Sequence, residues 1–142
     1  MSDCIFCKIA NKEIESYLIE ESENFLAFLD IKPHAPGHTL LIPKKHIANL
    51  EDFPQNLGEE FVFLSKKIIT LLSKALETKD FTIGINHGKL AGQAVEHLHL
   101  HFIPRLKDDK GGSIHSVVYN PPKEELSLIY EKIMKVKNEG QS

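Results

Sequence analysis

Three histidines spaced two apart, His97, His99 and His101, carry the densest chemistry in this sequence. They alternate with Leu98, Leu100 and Phe102 and run on into Ile103. In an extended strand successive side chains point to opposite faces, so the three imidazoles would share one face, about 7 Å apart between successive Cα atoms. The apolar set would share the other face and could pack under a helix. Three imidazoles in a row are costly to bury without partners. The pattern admits three uses. It could be a polar outer face. It could be a three-histidine metal site, although a flat strand spreads the rings and such sites usually borrow ligands from elsewhere. It could also be a nucleophilic and acid–base site, since neutral imidazole attacks well near pH 7 once a neighbour fixes its tautomer.

The segment before the triad, Asn86-His87-Gly88-Lys89-Leu90-Ala91-Gly92-Gln93-Ala94-Val95, sets small residues where backbone N–H groups could approach an anion. Asn86 and Gln93 add neutral amide donors. A glycine loop is a weak signal alone; beside three aligned histidines it is a candidate phosphate site. At the N-terminus, Cys4-x-x-Cys7 has the spacing of a metal knuckle, in which two thiolates one turn apart grip one ion.

These residues need elements to hold them. Cys4 to Ala10 reads as a turn entering a short helix. Tyr17–Glu21 and Phe25–Asp30 read as strands, with Ser22-Glu23-Asn24 as a hairpin break. Pro33, Pro36 and Gly37 mark a loop, and His38–Pro43 is β-prone, with Pro43 ending it. Leu57–Leu76 is the strongest helix, its inner stripe formed by Phe61, Leu64, Ile68, Leu71, Leu72 and Ala75. Phe81–Asn86 and His97–Ile103 read as further strands. Pro121-Pro122 opens a last helix near Lys123 to Lys137, with Leu126, Ile129, Ile133 and Val136 facing inward. The expected class is α+β, a mostly antiparallel sheet with helices on one side.

The 142 residues fit a single domain, 1–142, and 42% hydrophobic content suffices for a core. No apolar run reaches the roughly 18 residues of a membrane span, so no membrane partner is expected. The formal net charge of −3, without any basic block, argues against nucleic acid as the partner. With no secretory signal visible at the N-terminus and two cysteines too close to staple a fold, a cytoplasmic protein is expected.

The sequence resembles the histidine triad (HIT) family, whose signature is His-φ-His-φ-His-φ-φ with φ apolar, matched throughout by His97 to Ile103. The resemblance runs over about residues 4–105, through Cys4-Ile5-Phe6-Cys7-Lys8-Ile9, Phe28-Leu29-Asp30-Ile31, Pro36-Gly37-His38, Ile42-Pro43-Lys44-Lys45-His46, Gly92-Gln93 and Pro104-Arg105. Residues 106–142 form an extension. The likeness is to the bacterial Hit proteins and the Hint branch of nucleoside phosphoramidate hydrolases. It implies a five-stranded sheet with a long helix and short N- and C-terminal helices. It also implies attack of His99 on the α-phosphate of a purine nucleotide conjugate, through a nucleotidyl-histidine. A backbone carbonyl near His101 would accept from the other ring nitrogen of His99. His101, Gln93, Asn86 and the Ala94 position would meet the phosphate, and His38 would orient the triad from behind. Asp30 would bind the ribose hydroxyls, and Phe6, Ile9, Phe28 and Ile31 would form the slot for the base.

Hint-type members commonly carry Ser or Thr where Ala94 stands. The missing hydroxyl removes one way of protonating an amine leaving group and favours a nucleoside phosphate. A dinucleoside polyphosphate hydrolase is therefore an alternative, and a nucleotide-binding regulatory or scaffold protein is another. Bacterial Hit proteins with this Cys-x-x-Cys bind zinc, which implies a structural Zn2+ held by Cys4, Cys7, His46 and His97. A homodimer contacting through the long helix is also implied; Val62, Phe63 and Ile69 add apolar surface outside the inner stripe. His34, His87 and His115 are expected to be exposed, without an assigned role.

Overall fold

In the computed structural model, which describes residues 3–140, the chain divides into two compact units, one ending at Gly111 and one beginning at Gly112. The first unit contains helix α1 (Ile5–Ala10), strands β1 (Leu18–Glu21), β2 (Phe25–Leu29) and β3 (Thr39–Pro43), helix α2 (Gly58–Leu76), and strands β4 (Phe81–Gly84) and β5 (Leu100–Pro104). The five strands form one sheet in the order β1-β2-β3-β5-β4, and every neighbouring pair is antiparallel. The α+β class expected from the sequence is the one observed.

Both faces of the central strands are buried, and each face is covered by a different helix. Leu26, Phe28, Leu40 and Ile42 pack with Phe6, Ile9 and Ala10 of α1. Phe25, Ala27, Leu41 and Phe102 pack with Leu64, Ile68 and Leu72 of α2. The expectation of helices on one side is thus corrected: β2 and β3 are apolar at alternate positions on both faces, and an uncovered face would leave several large side chains in water, each worth about 1.5–3 kcal/mol when buried. The α2 stripe is narrower than its sequence pattern, because Leu71 and Ala75 turn to solvent while Phe61, Ile69 and Leu76 flank the buried line. Glu60, in the first turn of α2, fastens the β1–β2 hairpin by accepting from the Ser22 hydroxyl and from both nitrogens of Asn24, which holds its carboxyl below the usual carboxylate range.

The turn into β3 depends on Gly37. Its φ is +84°, and a Cβ there would collide with the Leu76 side chain at the end of α2. The next residue, His38, stands immediately before β3.

The expected strand over His97–Ile103 begins only at Leu100. The register explains the delay. Thr39, Leu40 and Leu41 pair with Phe102, His101 and Leu100, so upstream residues of the triad segment would next meet Ile42 and Pro43. Pro43 has no N–H to give, and its carbonyl is taken by the His97 ring at 2.8 Å. The chain bends through Val95–His97 and joins the ladder only afterwards, and the Leu98 N–H is satisfied by the Ile47 carbonyl at 2.7 Å.

The second unit contains helix α3 (Leu126–Glu139), which starts later than the proline pair suggested. Leu126, Ile133 and Val136, expected to face inward, are exposed, and Ile129 is only partly covered. The amphipathic pattern is present, but nothing among the described residues buries it. No helix of the described residues is long and apolar enough to cross a membrane.

Candidate active site and ligand cluster

The triad histidines gather where β5 meets the segment before it. His97 and His99 are buried, and His101 is partly so. Each ring has a hydrogen-bond partner that fixes its tautomer, and the donors and acceptors can be followed atom by atom.

The Nδ1 of His99 lies 2.7 Å from the His97 carbonyl, which can only accept. Nδ1 therefore carries the proton, and Nε2 keeps its lone pair. This is the form in which an imidazole attacks. The acceptor is the carbonyl two residues upstream, not one near His101 as the resemblance implied; His97 lies outside the ladder, so that carbonyl has no strand partner.

A second chain of bonds starts in the β2–β3 loop. The His34 backbone N–H donates to His38 Nδ1 at 3.1 Å, so the His38 proton resides on Nε2. That Nε2–H points to His101 Nδ1 at 2.9 Å, which places the His101 proton on its own Nε2. Among the described residues, His101 Nε2 is the buried side-chain polar atom with no hydrogen-bond partner. A donor held dry and unpaired is costly unless something accepts from it. Burial keeps both rings neutral: it lowers the His38 pKa, and burial together with the His99 and His38 imidazoles lowers that of His101 to about 4. Asp30 stands behind this pair, its Oδ2 3.6 Å from His38 Nε2 while its Oδ1 accepts from the Lys32 N–H. Asp30, His38 and His101 are close enough to suggest a cation site. The relay argues against one: His38 Nδ1 accepts a backbone N–H, so its proton is on the nitrogen that would have to bind the ion.

The remaining histidine, His97, faces away. Its Nε2–H donates to Pro43, which leaves Nδ1 bare, 3.3 Å from Cys4 Sγ and 3.5 Å from Cys7 Sγ. His46 Nδ1 lies 3.2 Å from Cys7 Sγ. The four ligand atoms of Cys4, Cys7, His46 and His97 all fall within 4.8 Å of one another. A tetrahedral ion with metal–sulfur bonds of about 2.3 Å and metal–nitrogen bonds of about 2.0–2.1 Å sets sulfur and nitrogen about 3.6 Å apart, so the set is nearly dimensioned for one. Burial, with Cys4 beside it, pushes the Cys7 thiol up to about 11. The sequence expectation brought these four residues together, and the structure places them together.

Other expected residues fall elsewhere. Gln93 spends its amide on the loop: Oε1 accepts from the Gly88 N–H at 2.9 Å, and Nε2 donates to the carbonyls of Ala48 and Val95. It shapes the glycine loop instead of offering a donor to an anion. Asn86 is exposed with its amide beside Gly92, and the Ala94 methyl is exposed. Phe6, Ile9 and Phe28 are buried in the core cluster, and Ile31 is exposed, so the four do not line one slot in this conformation. Phe6 nevertheless touches the triad, its ring centroid 5.0 Å from that of His99. A cleft of about 440 Å³ opens beside His38, lined by Leu29, Asp30 and the 33–38 loop. His34, His87 and His115 are exposed, as expected. The groups missed from the sequence are main-chain ones: the carbonyls of His97 and Pro43 and the N–H of His34. Backbone groups carry no residue signature, although Pro43 hinted that the ladder must break there.

Comparison with known proteins gives the family and the fold. Residues 11–108 match the HIT domain. The chain is 39% identical over 137 residues to the protein hit of Bacillus subtilis, covering 94% of this chain and 93% of that one. It is 44% identical over 111 residues to the adenosine 5′-monophosphoramidase of Saccharomyces cerevisiae, covering 78% of this chain and 67% of the other. The crystal structure of a histidine triad nucleotide-binding protein from Candida albicans superposes with a TM-score of 0.80 at 31% identity, covering 96% of each chain.

Proposed function

We propose, from the premise that this chain belongs to the HIT family, that it is a nucleotide hydrolase or transferase using His99 as nucleophile. One observation carries the proposal. His99 is held with Nδ1–H on a carbonyl and a bare Nε2, next to a partly buried His101 whose buried Nε2–H has no partner among the described residues. A nucleophile and an anion-stabilising donor are thus adjacent, their ring centroids 5.1 Å apart.

The lone pair of His99 Nε2 forms a bond to the α-phosphorus of a purine nucleotide conjugate as the bond to the leaving group breaks. The leaving atom keeps the electron pair; an amine takes a proton from solvent water, whereas a phosphate leaves without one. The ring gains positive charge, and its Nδ1–H bond to the His97 carbonyl strengthens. The His101 Nε2–H donates to a non-bridging phosphate oxygen, where charge develops. Water then attacks phosphorus and gives up a proton to solvent, the nitrogen–phosphorus bond breaks with its electron pair returning to His99 Nε2, and the nucleoside monophosphate departs. Asp30 and the cleft beside His38 supply a place for the ribose. The phosphoramidase activity named for the yeast relative supports an amine leaving group. The Ala94 methyl supports the second reading, a dinucleoside polyphosphate, whose phosphate leaving group needs no proton.

His99→Asn tests the assignment. Turnover of adenylated amines should fall by at least about a thousandfold, the scale seen when a nucleophile is removed, while nucleotide affinity stays within a few fold. A variant with unchanged monophosphate release would overturn it, and a native protein that binds nucleotides without turnover would be a regulator or scaffold.

We also propose that Cys4, Cys7, His46 and His97 hold a zinc ion. Four protein ligands would complete its coordination and give it a structural role, tying α1 to the triad segment. Protein purified with reduced thiols should contain about one equivalent of zinc; less than about a tenth would rule the ion out. A homodimer through α2 is proposed on the exposure of Val62 and Phe63 on its outer side.

A further inference from the structure

We infer that Phe6 is a positioning residue for His99, and that the Cys4–Cys7 turn ties the orientation of the nucleophile to the four-ligand cluster. The inference rests on His99 being the nucleophile. A single hydrogen bond, from Nδ1–H to the His97 carbonyl, fixes the polar side of that ring. A half-turn about Cβ–Cγ would break the bond and move Nε2 away from its present position, so something must oppose the turn. Phe6 meets the His99 ring at 5.0 Å and 74°, and meets His97 at 5.9 Å and 85°. Both are edge-to-face contacts, the arrangement aromatic rings favour. Phe28 backs Phe6 from behind at 5.7 Å. Phe6 is therefore wedged, and the wedge bears on the nucleophile.

What holds the wedge is helix α1, which carries Phe6 and Cys7 and is capped by Cys4. Cys4 caps α1 by accepting the Cys7 N–H on its sulfur, and both sulfurs lie against His97 Nδ1, with His46 on Cys7. Helix α1 cannot slide without parting these atoms. The other restraint on His99 ends in the same place, since the carbonyl it uses belongs to His97, whose ring spans from Pro43 to the two thiols. Both restraints on the nucleophile, the carbonyl and the phenyl edge, thus originate in the cluster. A residue that merely lines a base slot would influence substrate affinity. A residue that orients the nucleophile would influence the chemical step.

The test combines nitrogen-15 NMR of labelled histidine rings, without nucleotide and with metal content measured, and steady-state kinetics on an adenylated amine. In the native protein His99 should show one tautomer, Nδ1–H with a bare Nε2. In Phe6→Leu the His99 signals should broaden or split, and kcat should fall by about tenfold, within the range that misplacement of a reacting group produces, with KM changed less than twofold. Cys7→Ala should alter the same His99 signals; Cys4→Ala serves if that variant does not fold. Unchanged His99 signals in folded Phe6→Leu, with a rise in KM alone, would make Phe6 a slot residue and overturn the inference. Unchanged signals in the cysteine variants would sever the link to the cluster. If native protein turns over no nucleotide conjugate, the functional reading fails, while the ring spectra still decide whether Phe6 orients His99.

Discussion

In the unit that ends at Gly111, His38 and His97 are buried against partners from distant parts of the chain; in the unit that begins at Gly112, most large apolar side chains are exposed. His38 reaches His101 across 63 positions, and Cys4 reaches His97 across 93. By contrast, Val117, Tyr119, Leu126 and Val136 are each at least two-thirds exposed. Long-range contacts are costly in chain entropy and persist only where burial offsets them. The first unit has that burial on both sheet faces. The second has an amphipathic helix of 14 residues, near the length at which an isolated helix is marginal in water. The difference locates independent stability in the unit that holds the triad.

The most severe way to break this contrast is to damage the core under the sheet. Ile68 is fully buried on α2 against the face that carries Phe102. Ile68→Ala should cost about 2–5 kcal/mol, the transfer loss plus the cavity left behind. Urea unfolding would measure it, and a loss below about 1 kcal/mol would mean that this core relaxes far more than its packing suggests.

A milder break uses acid. His38 and His101 are kept neutral by burial, so their folded pKa values lie under the unfolded value of about 6.5, with His101 at about 4. Between those limits the unfolded chain binds more protons than the folded one. The contribution is therefore whole above pH 6.5 and is lost as the pH falls towards 4. The urea midpoint should decline from pH 7 to pH 5, and His101→Gln should flatten the decline. A midpoint that ignores pH over that interval would show that these rings charge in place. The carboxylates of Glu21 and Glu60, held down by their hydrogen-bond donors, lose their contribution only in more acidic solution.

The contrast also separates what could be read in the sequence from what could not. The triad period, the Cys4-x-x-Cys7 spacing and the α2 stripe are local patterns, and each corresponds to a real element. The four-ligand cluster was legible in two steps: the Cys4-x-x-Cys7 spacing suggested a pair of metal ligands, and the family resemblance implied His46 and His97 as the other two. The role of Gln93 was not, because its amide is consumed by the carbonyl of Ala48, 45 positions away, and no side-chain type announces an accepting carbonyl. The early end of the β5 ladder depends on Pro43 lying opposite the triad segment, a matter of register between distant strands. The α3 pattern was legible, but a pattern states only which face would be buried, never whether anything arrives to bury it.

That last point sets the smallest expected effect and the one that sharpens the contrast most. Val136 is 68% exposed, so in a lone chain Val136→Ser removes little buried area. Its cost should stay within about 0.5 kcal/mol, as for surface changes generally. The same substitution acts differently if a second copy covers α3, because the methyls would then leave an interface, and stability would depend on protein concentration. Unfolding of native and Val136→Ser protein at several concentrations separates these cases. A concentration-independent midpoint, equal in both, means that the helix stands in water. A native midpoint that rises with concentration, and a variant midpoint that does not, means that the apolar face of the second unit is completed by another chain, and that the unpartnered surface belongs to the protomer and not to the protein.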